Sequence, residues 1–306
     1  MSSPAAPQNN ALGLSWDLLA AFLAVMRSGS LSGASRALNV AQPTVRRQIE
    51  KLEEVLGVAL FTRSQTGLTA TDSALATLPF VESMAGVADA IVRTVSAPAN
   101  AERGTVRVTC SEVMGVEVLP AILADLNLSH PLLQIELSPS NSNEDLLRRD
   151  ADVAVRMGQP TQSALVTKRV GNVELGVFAS EVYLSRRGTP RTPQGLLRAH
   201  ALIGKDRDSS FLALLAAAGL PLKRKDFALR TDSDAAYVAA LRAGLGLGIC
   251  QVPFARGTPP LKRLFPQLSW TLPVYVVTHE DLRRTRRVSI VFEHLVGALG
   301  AYVGIG

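Results

Sequence analysis

Residues 42–56 read QPTVRRQIEKLEEVL, and the spacing of their apolar side chains decides how the first third of the chain is built. Val45, Ile49, Leu52 and Leu56 recur at steps of four, three and four. At about 100° per residue they share one helical face, and that face is buried. Pro43 stands where a first helical turn tolerates proline. Arg47 then points away from the core, with Pro43 beside it and Thr44 and Arg46 on the flanks. Gln42, Thr44, Arg46, Arg47 and Gln48 crowd the outward N-terminal end, residue types that read base edges or hold phosphates. A solvated surface helix would carry the same polar face, so its setting has to discriminate.

Upstream, Ser15 suits the N-cap of a first helix with Trp16, Leu19, Leu23 and Met26 on one stripe, ending at Ser28-Gly29. A second helix carries Leu31, Ala34, Ala37 and Leu38 among small residues that allow close packing, and Asn39-Val40-Ala41 turns into the third. A short helix set behind a tight turn on a three-helix core enters the major groove in helix-turn-helix proteins. After Leu56-Gly57, residues 59–63 read as a strand, 64–67 as a turn and 68–70 as the returning strand. That is a hairpin of the wing type, with Arg63 at an edge that can reach a narrow minor groove.

With these residues in place the chain resembles the LysR-type transcriptional regulators. The resemblance rests on residues 18–22, Gly29-Ser30-Leu31-Ser32, Ala34, Ala37-Leu38, Gln42-Pro43-Thr44-Val45, Ile49, Leu52-Glu53, Leu56-Gly57, Leu60-Phe61-Thr62-Arg63 and Leu68-Thr69 taken together. It implies that Gln42, Pro43, Arg46 and Arg47 face the major groove and that Arg63 is a wing arginine. Ser30, Ser32 and Thr44 join the candidate DNA surface. Two positions depart from the pattern: Arg46 stands where serine is usual, and Ser73 where glycine is usual. The first bears on base preference, because a long cation replaces a short hydroxyl.

Thr71 suits the cap of a long helix with Asp72 in its first turn. Ala74, Leu78, Val81, Ala85, Ala88, Val92 and Val95 alternate steps of four and three, a seam that pairs with a second copy of itself. A core helix covered by its own chain shows the same pattern. Pro79 interrupts it, at about 3 kcal/mol or a kink. Paired recognition helices match a two-fold-related DNA site, so the expected state is a homodimer, and the family resemblance extends this to a tetramer.

The 306 residues, 47% hydrophobic and 19% charged, suffice for more than one domain. Every apolar run is interrupted by charge or proline before it can span a bilayer, and MSSPAAPQNN lacks the features of an export signal. Cys110 and Cys250 lie in apolar strands, which suits a reducing cytoplasm. The net charge of +6 does not itself argue for nucleic acid. Through Ser96, seven basic residues (Arg27, Arg36, Arg46, Arg47, Lys51, Arg63, Arg93) are matched by seven acidic ones (Asp17, Glu50, Glu53, Glu54, Asp72, Glu82, Asp89).

Beyond Gly104 strands and helices alternate, the pattern of parallel sheets with covered faces. Residues 106–111, 133–138, 152–156, 175–179, 202–203, 228–229, 247–252 and 273–278 read as strands; 116–126, 143–149, 211–218, 232–243 and 286–299 read as helices. The resemblance, weaker here, implies two α/β lobes of the periplasmic-binding-protein type with an effector cleft between them. By position it lines the cleft with Ser111, Glu112, Ser140, Asn141, Arg156, Thr231, Asp232 and Ser233. The expected organisation is a disordered tail (1–14), a winged helix-turn-helix (15–70), a linker helix (71–96), a linker (97–103) and an effector domain (104–306). Lobe I takes about 104–175 and 275–306, and lobe II about 176–274.

Enzymatic readings fail on the residues. Gly244–Gly248 follows a helix and precedes a strand, the reverse of a phosphate cradle, and the four histidines (130, 200, 279, 294) lack metal-ligand spacing. No catalytic residue, metal site or cofactor is expected. Arg283, Arg284, Arg286 and Arg287 read as a solvated face. A redox-sensing regulator remains the alternative, because a cysteine can respond to oxidants where it is exposed and near a cation; an α/β enzyme is a remoter one.

Overall fold

The computed structural model describes residues 13–64, 67–141, 151–158, 165–193 and 199–304. It divides into two compact units, one reaching Ile91 and the other running from Val92, so the division falls inside the long helix. The 143–149 helix and the tip of the hairpin lie outside the described residues.

In the first unit α1 (Trp16–Ser28), α2 (Leu31–Leu38) and α3 (Gln42–Leu56) enclose one core. Leu18, Leu19, Phe22, Leu23 and Val25 of α1 are buried. Trp16 is 44% exposed, so the expected stripe is corrected at its first position. Val45, Ile49 and Leu52 of α3 are buried as their spacing requires. Asn39 closes α2 in the left-handed region at φ 54, which asparagine tolerates. Strands β1 (Phe61–Ser64) and β2 (Gly67–Ala70) pair antiparallel, Phe61 opposite Ala70 and Arg63 opposite Leu68.

Helix α4 (Asp72–Val95) starts where the Thr71 hydroxyl accepts the Ala74 N–H at 3.2 Å. Its apolar surface has two sides. Ala74 and Val81 are fully or nearly buried, and with Leu78 and Ala85 they pack on the core around Phe22, Leu52 and Leu60. That corrects the seam: its first half is covered by the same chain. The exposed stripe is Phe80 (71% exposed), Met84, Val87, Ile91 and Val95, with Val92 beside it. At 24 residues α4 is also long and apolar enough to cross a membrane by length and composition alone, contrary to the expectation from its interruptions.

The second unit is built on a six-stranded sheet ordered β4-β3-β5-β10-β6-β9. Here β3 is Gly104–Cys110, β4 Leu133–Pro139, β5 Val153–Met157, β6 Leu165–Ser180, β9 Gly248–Gln251 and β10 Leu261–His279. β3 runs parallel to β4 and β5, but β10 is antiparallel to β5 and β6, and β6 to β9. The expected all-parallel sheets are thus corrected to a mixed one. The cause is the pair β6 and β10, 16 and 19 residues long, which carry the chain into lobe II and back and so must run in opposite senses. In lobe I, α5 (Glu112–Glu117) and α6 (Leu119–Ser129) replace the single expected helix; Pro120 starts the second and cannot continue the first.

Lobe II adds α7 (Glu181–Arg187), a parallel pair of β7 (Ile203–Gly204) and β8 (Leu229–Arg230), α8 (Ser209–Ala217), α9 (Asp234–Arg242) and α10 (Val252–Ala255). The glycines between α9 and β9 answer steric needs. A Cβ on Gly248 would meet the Tyr237 hydroxyl at 2.6 Å, and one on Gly246 would collide with the Ala201 carbonyl oxygen. Tyr237 uses that room to donate to the Ile203 carbonyl at 3.2 Å and accept the Ile249 N–H at 2.8 Å, tying β7 to β9. The chain ends with α11 (Glu280–Arg283) and α12 (Arg286–Val303), whose inner face completes the lobe I core.

Candidate DNA interface and effector cleft

The first candidate site is a surface. Gln42, Pro43, Arg46 and Arg47 are exposed at the start of α3, and Thr44 is half-buried. Ser30 spends its hydroxyl as the α2 cap, accepting the Gly33 N–H at 3.0 Å, while Ser32 accepts from Arg36 at 3.1 Å. Arg63 is placed by its backbone on β1. A residue not singled out from sequence holds the wing: Glu53 Oε1 accepts the Leu60 and Phe61 N–H groups at 2.7 and 3.1 Å. One carboxylate on the inner side of the recognition helix thereby fixes where the hairpin leaves it.

The second site lies between the lobes. Glu112, at the start of α5, accepts the Ser233 hydroxyl at 2.9 Å and the Asp234 N–H at 2.6 Å at the start of α9. Asn141 bridges the same point, accepting the Glu112 N–H at 3.0 Å and donating to Asp234 at 3.2 Å. Asp234 also pairs with Lys205, whose ammonium lies 5.5 Å from the centroid of the Tyr237 ring. At the far ends of the two helices Arg242 grips Glu117 with bonds of 2.9 and 2.5 Å. α5 and α9 therefore lie side by side, latched at both ends by charge-assisted bonds, the stronger kind.

The other expected cleft residues take no part in the latch. Arg156 is buried in β5 and donates to the Thr109 hydroxyl at 3.1 Å. Asp232 takes the Asp206 and Arg207 N–H groups at 3.1 and 2.9 Å and the Arg207 guanidinium at 2.6 Å. These bonds, first the Arg207 N–H and then its side chain, hold the carboxyl down at about 2. Thr231 accepts the Ser233 N–H at 3.2 Å within a turn, Ser140 donates its N–H to the Cys110 carbonyl at 2.7 Å, and the Ser111 hydroxyl is buried without a hydrogen-bond partner.

Beside the latch is a cavity of about 200 Å³. Its walls include Val113, Met157, Leu175, Phe211, Val238 and Phe254, with Lys205, Asp234 and Gln251 as polar members. None of the eight expected cleft residues lines it; Val113, Met157 and Asp234 are the immediate neighbours of Glu112, Arg156 and Ser233. Lys205, Asp234, Gln251 and the Glu117–Arg242 pair escaped sequence reasoning, since nothing in the local pattern separates them from ordinary surface charge or strand polarity. Cys250 also faces the cavity, where burial pushes its thiol well above the ordinary range. Burial likewise raises Cys110 to about 11, against a smaller opposing pull from Arg156. Thiols held protonated are poor nucleophiles at neutral pH, which disfavours the redox alternative. Among the arginines near the C-terminus, Arg287 is 4% exposed, a correction to the solvated-face reading, while Arg283 and Arg286 pair with Glu293 and Glu102.

A three-helix unit with a wing in one unit and a two-lobed cleft in the other, with no enzymatic constellation among the described residues, define a DNA-binding regulator with a sensing domain. Residues 16–75 match the model of the bacterial regulatory helix-turn-helix protein, lysR family, and residues 99–300 match the LysR substrate binding domain; the chain belongs to the LysR family of transcriptional regulators. It is 28% identical over 289 residues to the transcriptional regulator CrgA of Neisseria meningitidis serogroup C, covering 92% of this chain and 96% of CrgA. A transcriptional regulator of Xanthomonas campestris is 27% identical over 175 residues, 57% of this chain, and there the match spans only about half, 51%, of the relative's length. The solved CrgA structure has a TM-score of 0.58 at 24% identity over 94% of this chain and 99% of that one. That of CbnR, a LysR family regulator, has 0.66 at 19% over 93% and 99%. CbnR has also been solved with its target DNA.

Proposed function

We propose that this chain binds a two-fold-related operator in double-stranded DNA as a homodimer, or as a tetramer built from such dimers, and that a small molecule in the inter-lobe cavity modulates it. Gln42, Pro43, Thr44, Arg46 and Arg47 read the major groove, with Ser30 and Ser32 beside them and Arg63 on the wing. The exposed stripe of α4 supplies the self-contact. Acting on DNA places the protein in the cytoplasm, and no enzymatic step or cofactor enters the mechanism.

The observation that carries this reading is the exposure of Arg46 and Arg47 on a helix that buries Val45, Ile49 and Leu52 on its opposite face. An arginine can be bidentate to guanine, and losing one such contact costs about 1–3 kcal/mol of discrimination. Arg47→Ala is expected to lose specific footprinting on a selected DNA fragment while its thermal unfolding and sedimentation match wild type. An unchanged footprint refutes the assignment of the recognition face.

A further inference from the structure

Gln251 is 3% exposed and borders the inter-lobe cavity, yet its amide is only half satisfied. Tyr302 gives its hydroxyl proton to Gln251 Oε1 at 2.7 Å. That bond fixes the amide's orientation and turns the NH₂ group towards Met114 and Met157, whose sulfurs lie 3.7 and 3.5 Å away. Thioethers are weak acceptors, and buried donors are almost always paired with something better. The strands β9 and β6 hold Gln251 in register with Leu175, another wall residue, so the amide has a fixed address at the cavity.

The remaining walls decide the size and polarity of what belongs there. Val113, Phe211, Leu214, Val238, Phe254 and Leu272 are apolar, and the one ammonium, on Lys205, is already matched by Asp234. An apolar cavity of about 150 Å³ accepts benzene; about 200 Å³ leaves room for one ring, or its aliphatic equivalent, and two or three further atoms. We infer that the effector is a one-ring-sized, mainly apolar molecule bearing a hydrogen-bond-accepting oxygen, a carbonyl or carboxylate, that takes the Gln251 Nε2 protons. The inference rests on the reading of this cavity as the effector site and adds the chemistry of its occupant.

Calorimetric titration of the full chain with acetophenone, benzoate and ethylbenzene tests it, since ethylbenzene keeps the carbon skeleton of acetophenone without the oxygen. Wild type is expected to bind acetophenone or benzoate at least about fivefold more tightly than ethylbenzene, the worth of one neutral hydrogen bond. The better of the two oxygen ligands tells a neutral carbonyl from an acid. Gln251→Leu should erase the preference and keep ethylbenzene binding; Gln251→Asn, which draws the amide back while keeping it polar, should reduce the preference and covers the case in which the leucine variant does not fold. Equal or tighter binding of ethylbenzene to wild type, a preference that survives in a folded Gln251 variant, or no binding of any of the three overturns the inference. Affinity for a DNA fragment selected from a random pool, measured with the bound probe present, separates the two layers. If the expected order holds and DNA affinity does not move, the ligand chemistry stands and the effector reading fails.

Discussion

The two candidate regions are made in opposite ways. The proposed DNA face consists of exposed side chains on one helix, and their positions follow from a local period. The proposed effector cavity consists of buried or paired groups drawn from α5, β5, β6, α8, α9 and β9, whose meeting depends on how two lobes share two long strands. The first can be altered one residue at a time with little consequence for folding. The second couples every change to the latch between α5 and α9, so binding and stability move together there.

α4 gives the sharpest break of that contrast, because one helix carries both kinds of surface. Val81→Asp sets a charge into the core shared with Phe22 and Leu52 and is expected to unfold the N-terminal unit, at about 3–5 kcal/mol. Ile91→Asp changes a side chain 62% exposed and should leave the melting temperature of that unit intact while sedimentation velocity shows monomer. A dimeric, fully folded Ile91→Asp protein would remove the stripe from the self-contact.

Next in size comes Glu53→Ala, which strands the Leu60 and Phe61 N–H groups and should lower stability by about 1–3 kcal/mol. Thermal unfolding reads the loss, and hydrogen exchange at those two amides should quicken first. In the cleft, Glu112→Gln keeps the shape and removes the charge, so the bonds to Ser233 and the Asp234 N–H weaken by about 1 kcal/mol. Ligand-free DNA affinity should hold while the Asp234 amide exchanges faster; unaltered exchange there means that the latch contributes nothing.

The smallest effect is a titration. Asp232 has its pKa lowered to about 2 by the Arg207 N–H, the Arg207 side chain and the Asp206 N–H. A depressed folded-state value means that its contribution is complete above the ordinary carboxylate range and fades as pH falls through about 2. The chemical shift of the Asp232 carboxyl carbon should therefore stay constant from neutrality down to pH 4 and move only below it. Asp232→Asn should abolish that movement.

Much of this was legible in sequence where periodicity is local. Val45, Ile49 and Leu52 declare one face of α3, and Arg47 falls opposite by arithmetic. On α4 the same rule shows an apolar helix but cannot rank two apolar sides, so Ala74 and Val81 read like Val92 although the core of the chain covers only the first pair. On three elements the residue that lines the cavity is the neighbour of the one singled out from sequence. Successive side chains on a strand point to opposite faces: the polar Arg156 attracts attention, yet Met157 meets the cavity. Likewise Glu112 and Ser233 form the latch, while Val113 and Asp234 turn to the space beside it. Gln251 had no local signal at all, because the group that orients its amide is Tyr302, 51 positions along the chain.

Arg287 sets where this protein can be cut. Its guanidinium donates to the carbonyls of Arg93, Thr94 and Ala97 at 2.9, 3.2 and 3.3 Å, while Arg93 returns a 3.2 Å bond to Asp152; all three charged side chains are at most 6% exposed. The stretch expected to be a linker is therefore bonded to the sensor, with Ala99 accepting the Arg286 N–H at 2.7 Å. A sensor fragment begun at Gly104 loses the carbonyls that receive Arg287 and the cation that balances Asp152, each loss of the kind that costs about 3–5 kcal/mol inside a protein. The shortest self-sufficient sensor starts ahead of Arg93 and keeps the last turn of α4 as its lid.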